Sequence, residues 1–235
     1  MSVNGIAIIV IFAVLGTAAF ALSNPAAPPA ASPKAEWNFD KDEVGKRAAD
    51  WRVRETNGTG KTGTWTVATD DSAPSSPNVL KLETQADDRT YNLLIAEKIS
   101  FKDLDLRVRI KANSGKKDQG GGLIWRCKDE NNYYICRINP LEGNFRVYKV
   151  EKGKRTQLES VKLETKTGQW YEVRAVMVGD TIECYVDGKK YLEAIDDTFN
   201  GTGKIGLWTK ADASSSFDDV VVHEPTSALQ LKKGC

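Results

Sequence analysis

Between Trp170 and Leu192 the chain spells out a three-stranded meander. Trp170–Val178 leads into Gly179-Asp180, Thr181–Val186 leads into Asp187-Gly188, and Lys189–Leu192 closes the run. Asp-Gly between alternating segments is a tight-hairpin signal, because both residues tolerate the positive φ that such a turn requires. Strand side chains alternate between faces with period two, and Phe101–Ile110 follows that rule cleanly. Leu104, Leu106, Val108 and Ile110 fall on one face, and Asp103, Asp105, Arg107 and Arg109 on the other. Gly121–Cys127 and Tyr133–Asn139 read as a hairpin around the polar turn Asp129–Asn132. Phe145–Val150, Lys204–Lys210 and Phe217–Val222 read as further strands. No helix-period segment of useful length follows the N-terminal leader. About a dozen strands in one domain predict an all-β fold, a two-sheet antiparallel sandwich or jelly roll and not a small barrel.

The ends of the chain have different compositions. Ile6–Ala21 is an unbroken small-and-apolar run without charge, shorter than the roughly 20 residues a membrane span needs. Ala19-Phe20-Ala21 offers the small-x-small pattern of a signal-peptidase site. The reading is an export signal over residues 1–21, and no membrane span once it is removed. The segment before the run lacks the usual Lys or Arg, so an uncleaved anchor is the alternative. Residues 22–35 include the Pro/Ala-rich stretch NPAAPPAAS, an extended linker with little to bury. The sandwich is expected over 36–224 and a tail over 225–235. Such a chain is expected to be secreted, periplasmic or at the cell surface.

Charge is balanced, with 33 basic and 32 acidic residues. That argues against a nucleic-acid partner, which calls for a basic surplus. The four cysteines are Cys127, Cys136, Cys184 and Cys235. Their spacing fits no zinc pattern. Cys127, Cys136 and Cys184 are either small buried residues on strands or members of disulfides whose pairing the sequence does not choose, and terminal Cys235 is either free or paired with another molecule. Asn57-Gly58-Thr59 and Asn200-Gly201-Thr202 are glycosylation sequons in turn-like surroundings.

Several chemistries fall away. A single histidine, His223, ends the last strand. A nucleophile–histidine triad would have to rest on it, and a His-rich metal site has no ligands. Gly120-Gly121-Gly122 opens a strand and precedes no helix, so it is no dinucleotide loop. Those glycines fit a bulge or a close backbone approach at a sheet edge. Carboxylates remain. Glycoside hydrolysis commonly uses two that flank the bond. Glu183 on the middle strand of the meander, Asp105 and Glu142 are the catalytic candidates. The alternative for Asp103/Asp105 is a cross-paired charged outer face shared with Arg107 and Arg109. Asp218-Asp219 lies on the last strand, where one of the two must turn inward or to an edge. A buried Asp needs a partner. A structural calcium would supply one, with Asp218 and Asp40 as metal candidates and no other cofactor implied.

Binding residues follow from the hairpin. With a four-residue turn, Leu123, Trp125, Cys127, Tyr134, Cys136 and Ile138 share the core side. Ile124, Arg126, Tyr133, Ile135, Arg137 and Asn139 share the other, and a register one residue different re-pairs them. Sugars dock their apolar faces on aromatic rings and their hydroxyls on Arg, Asn and Asp. Arg126, Tyr133, Arg137 and Asn139 are therefore the ligand candidates, with Trp208 and Lys210 on a later strand lining the same groove. Each Trp also fits a core anchor, and the arginines also fit a solvated face.

Four segments in this order carry a resemblance: FKDLDLRVRI, GGGLIWRCKDENNYYICRINPLEGNFRVYKV, GQWYEVRAVMVGDTIECYVDGKKY and GKIGLWTKADASSSFDDVVV. Together they resemble the 3-keto-disaccharide hydrolase domain family, exported bacterial proteins often labelled family 16-like glycoside hydrolases. The resemblance covers about Trp37–Val222. It implies a concanavalin A-like jelly roll, an oligosaccharide or polysaccharide partner, and hydrolysis of a glycoside or keto-glycoside. Catalytic family 16 glucanases carry Glu-x-Asp-x-x-Glu. The nearest element here, Thr181–Tyr185, has one carboxylate, so that mechanism is not supported at this place. Glycan binding without catalysis is a second reading. A third is an adhesion or scaffold module acting through protein contacts, compatible with the linker and Cys235.

Overall fold

The computed structural model describes Met1, residues 34–59 and residues 62–225. The export signal, most of the Pro/Ala linker, and the tail with Cys235 lie outside the described residues. The strands belong to the compact unit Ala31–Cys235. In chain order they are β1 (Ala35–Trp37), β2 (Trp51–Thr56), β3 (Thr64–Thr69), β4 (Asn78–Glu83), β5 (Tyr91–Ala96), β6 (Leu104–Ser114), β7 (Gly121–Asp129) and β8 (Asn132–Asn139). They continue as β9 (Asn144–Glu151), β10 (Lys154–Lys162), β11 (Trp170–Val178), β12 (Thr181–Val186), β13 (Lys189–Ile195), β14 (Lys204–Lys210) and β15 (Ser214–His223).

They form two antiparallel sheets facing each other. The eight-stranded sheet runs β13-β12-β11-β6-β15-β4-β3, with β1 paired to β15. The seven-stranded sheet runs β10-β9-β8-β7-β14-β5-β2. This is the predicted sandwich, and its crossovers are those of a jelly roll. The alternation on β6 holds: Leu104, Leu106, Val108 and Ile110 are fully buried in the core between the sheets. They meet Leu123, Trp125, Tyr134, Cys136 and Ile138 from the other sheet. Each such aliphatic side chain contributes about 1.5–3 kcal/mol by leaving water. Trp125 stacks on Tyr134 at 5.7 Å and donates its indole N–H to Met177 Sδ at 3.1 Å, so it is a core anchor. The meander turns as its sequence dictates, with Asp187 at φ 47° and Gly188 at φ 76°.

Two local readings need correction. β7 and β8 do not close on a four-residue turn throughout. Asp129 pairs with Asn132, but Trp125 pairs with Tyr134, and the intervening bulge absorbs the difference. The bulge puts Arg126 at φ 44° and carries Cys127 off the core face. The glycine run is not at a sheet edge either, because β7 lies between β8 and β14. A close approach is nonetheless what Gly122 provides: a Cβ there would sit 2.0 Å from the Cys136 carbonyl oxygen. β10 was not anticipated. Its sequence KRTQLESVK lacks a buried face, which an edge strand does not need, and only the Lys152-Gly153 turn announces it.

The seven-stranded sheet is strongly curled. Arg155 on β10 lies over Tyr91 on β5, at 5.3 Å, and over Trp208 on β14, at 5.8 Å. Five strand intervals separate β10 from β5, about 24 Å in a flat sheet. The outer face must therefore roll up. The Tyr133 hydroxyl on β8 reaches Thr56 Oγ1 on β2 at 2.6 Å across the same hollow. A second hydrophobic cluster fills that part of the outer face: Tyr91, Leu93, Ile95, Ile124, Cys127, Tyr133, Ile135, Val150 and Trp208.

Candidate functional site

Beyond the apolar filling, the curled face becomes polar. β8 presents Arg137 and Asn139 there, β9 presents Asn144, Arg146 and Tyr148, and β14 ends in Lys210. The β8–β9 turn adds Glu142, and the loop before β7 adds Asp118. In one cross-strand row, Trp208 faces Gly122, Gly122 faces Arg137, and Arg137 faces Arg146.

These groups form one network. Asp118 accepts the Asn139 amide at 2.8 Å through one oxygen and Lys210 Nζ at 3.1 Å through the other. Arg137 donates to Asn144 Oδ1, to Glu142 Oε2 at 2.9 Å and to the Tyr148 hydroxyl at 3.1 Å. Its Nε is buried without a hydrogen-bond partner. Glu142 Oε2 also accepts Arg146 Nη1 at 3.1 Å and the Asn144 amide at 3.1 Å. Arg137 and Asp118 are buried. The side chains of Glu142 and Arg146 are 40% and 31% exposed and form the mouth.

The environment pushes the two carboxyls apart. Burial raises Asp118 above the usual carboxylate range, with Glu142 adding to the rise and the charges of Lys210 and Arg137 opposing it. Burial also works against ionisation of Glu142, but the Asn144 amide and the charges of Arg137 and Arg146 outweigh it. The net shift of Glu142 is downward. Asp118 is held in place from behind, because Asp212 accepts the backbone N–H groups of Lys116, Lys117 and Asp118 at 2.9, 2.9 and 3.1 Å.

The candidates named from the sequence thus divide into groups. Arg137, Asn139, Lys210 and Glu142 come together. Tyr133 and Trp208 share their face but belong to its buried filling, at 0% and 1% exposure. Arg126 lies elsewhere. Its side chain is wholly buried and donates to the carbonyls of Lys102 at 2.7 Å, Phe199 at 2.8 Å and Gly179 at 2.6 Å. It also pairs with Asp103 at 3.1 Å. The bulge turned it away from the polar cluster and into a brace between loops.

Glu183 and Asp105 are on the other sheet. Glu183 accepts the Tyr185 hydroxyl at 2.6 Å and Lys190 at 3.1 Å. Asp105 is held by Arg174 through two bonds of 2.6 and 2.5 Å. Neither joins Glu142. Asp118, Asn144, Tyr148 and Arg146 were missed. Nothing local marks Asp118, and the spacing Arg137…Glu142…Asn144…Arg146…Tyr148 was the available signal for the others.

Asp218 and Asp40, the calcium candidates, are each engaged by protein donors. Asp218 accepts Ser75 N at 2.9 Å, the Ser75 hydroxyl and Asp219 N. Asp40 Oδ1 accepts Asn78 N at 3.1 Å, and the Asn78 amide donates to the carbonyls of Asp40 and Asp42. Both carboxylate oxygens of Asp218 and Oδ1 of Asp40 accept from protein donors. Among the described residues no group of three or more His, Cys, Asp or Glu could hold a metal. Cys127, Cys136 and Cys184 are buried free thiols.

A family model described as the 3-keto-alpha-glucoside-1,2-lyase-like domain matches residues 23–223. The chain belongs to this family. Its model spans the described sandwich and includes every residue of the polar cluster. No curated protein matches the chain. Among solved structures, the carbohydrate binding module CBM66 from Bacillus subtilis is similar with a TM-score of 0.60 at 20% identity, over 74% of this chain and 96% of that one. Domain 4 of AbnA, an extracellular GH43 arabinanase from Geobacillus stearothermophilus solved with arabinotriose, matches with a TM-score of 0.57 at 14% identity, over 82% and 92%. The cellulose induced protein Cip1 matches with a TM-score of 0.55 at 14% identity, over 82% and 98%. These likenesses establish the shared sandwich fold.

Proposed function

We propose that this member of the family is an exported domain that engages a saccharide at the polar end of the curled face. The observation that carries the reading is the network joining Asp118, Asn139, Lys210, Arg137, Glu142 and Arg146. Charged groups this buried are costly unless paired, and here they are held beside an open mouth instead of being replaced by apolar residues. Donors and acceptors alternate around it, as vicinal sugar hydroxyls require. That two similar folds are a carbohydrate binding module and an arabinanase domain solved with arabinotriose supports the reading. The test is calorimetry against a panel of oligosaccharides, with Lys210→Met and Glu142→Gln. Binding reduced at least tenfold in both is expected, measured below each variant's melting transition because each substitution also unpairs a buried charge. Undiminished binding in both removes the site from this face.

A second reading, cleavage, is favoured by one observation: the two carboxyls of the site are shifted in opposite directions. Environments that drive a pair apart assign a base and an acid. Elimination across C1 and C2 of a 3-keto-α-glucoside needs a base for the C2 proton and an acid for the departing C1 oxygen. The C1–O bond breaks as the C1=C2 bond forms. Glu142 suits the base, and Asp118, whose burial outweighs the opposing charge of Lys210, suits the acid. Glu142→Gln and Asp118→Asn should each abolish release of the leaving alcohol from a 3-keto-α-glucoside. Turnover equal to wild type in both variants rejects the assignment.

A further inference from the structure

Arg155 is a cation without an anion among the described residues. Its guanidinium lies 4.5 Å from the Tyr148 ring centre, 5.3 Å from Tyr91 and 5.8 Å from Trp208. One of its terminal nitrogens, Nη1, is buried with no hydrogen-bond partner. The ion pairs found on this face use Arg137, Arg146 and Lys210, and none among the described residues uses Arg155.

Aromatic contact on the face of a guanidinium leaves its N–H groups, which lie in the plane, still seeking acceptors. The three arginines surround one tyrosine. Arg137 and Arg146 donate to the Tyr148 hydroxyl at 3.1 and 3.4 Å while Arg155 lies over its ring. Arg137 and Arg146 also stand directly opposite each other on β8 and β9, where like charges repel. Glu142 bridges those two, and no ion pair among the described residues holds the third. Counting Arg137, Arg146, Arg155 and Lys210 against Glu142 and Asp118, the patch carries a surplus of positive charge on an almost neutral chain.

We propose that the saccharide taken by this face is acidic, with a carboxylate that pairs with Arg155 and Arg146. This rests on the carbohydrate reading above and names its ligand class. A carboxylate accepts two parallel N–H bonds from a guanidinium fork. It would give Arg155 an anionic partner and relieve the repulsion within the patch. Arg137, engaged by Asn144, Glu142 and Tyr148, holds the floor of the site.

The test uses matched pairs: trimers of glucuronate, galacturonate and mannuronate, each beside its carboxyl-reduced neutral counterpart, titrated into the full chain by calorimetry. At least one uronate trimer is expected to bind tenfold or more tighter than its reduced form, with a preference that shrinks as salt is raised. Arg155→Gln should erase the preference, and Arg155→Lys should recover only part of it, because an ammonium lacks the planar fork. Equal or tighter binding of the neutral trimers overturns the acidic ligand and leaves the carbohydrate reading standing. A preference that survives Arg155→Gln overturns the role of that residue. Binding of none of the six trimers overturns both. The matched comparison on the wild-type chain holds even if the variants fold poorly.

Discussion

Arg126 distinguishes a brace from a ligand contact, and Arg126→Met does so with nearly the same length of side chain. The substitution removes four hydrogen bonds from a buried cation, leaving the carbonyls of Lys102, Phe199 and Gly179 and the carboxylate of Asp103 without that donor. Hydrogen bonds to charged groups are each worth about 1.5–3 kcal/mol, so the simple sum is roughly 6–12 kcal/mol. That sum is an upper bound. The Asp103 side chain is 34% exposed and regains water, and the guanidinium no longer has to be desolvated. Breaking one partner out of a buried charged pair costs about 3–5 kcal/mol. The expected loss is therefore about 4 kcal/mol. At roughly 2–4 °C per kcal/mol for a domain of this size, Tm falls by about 8–16 °C. Thermal and urea melts measure it, with saccharide titration below the melt as the second readout. The expected pattern is a large loss of stability with binding kept in the folded fraction. A melt within about 2 °C of wild type, together with lost binding, would refute the brace.

Stability should fall as pH rises from about 4 to about 6. Asp218 is driven up to about 6 by burial, against the hydrogen bonds from Ser75 and Asp219 N–H, whereas an unfolded Asp titrates near 3.9. The native state therefore holds the proton more tightly, and its advantage, about 3 kcal/mol, is present below pH 4 and lost through pH 6. Asp218→Asn should flatten that limb of a stability–pH curve; an unchanged slope rejects the attribution. Gly122→Ala places a Cβ 2.0 Å from the Cys136 oxygen and 2.9 Å from the Arg137 Cα. The central β7–β8 pair must part, with an expected loss of about 1–3 kcal/mol in a urea melt. Chelation with EDTA should leave Tm unchanged, because both Asp218 oxygens are engaged by protein donors; a drop reversed by calcium would contradict this.

The sandwich was legible because its signals are local. Period-two alternation on β6 and Asp187-Gly188 in the meander each act over a few residues, and both appear in the fold where the sequence puts them. The site was legible only in part. Strand parity puts Arg137, Asn139 and Lys210 on the outer face, and the structure keeps that parity on their strands. Parity failed at Arg126 and Cys127, because a bulge adds residues to one strand without a reliable local mark. Tyr133 and Trp208 face the predicted side, yet the curl of the sheet buries them. That curl brings β10 over β5, a relation between distant strands that no window of sequence contains. Asp118 could not be found for the same reason: its partners lie on β8 and β14, and the loop that carries it is fixed by Asp212.

A crystal structure of the chain soaked with a bound oligosaccharide tests the central claim most directly. The account predicts sugar density on the curled face of the seven-stranded sheet, in contact with Glu142, Arg146 and Lys210 and with Asp118 behind. The other sheet offers a separate hollow of about 550 Å³ lined by Thr64, Lys81, Asn113 and Ser214. Density in that hollow, with the Arg137–Glu142 network empty and unmoved, would contradict the account.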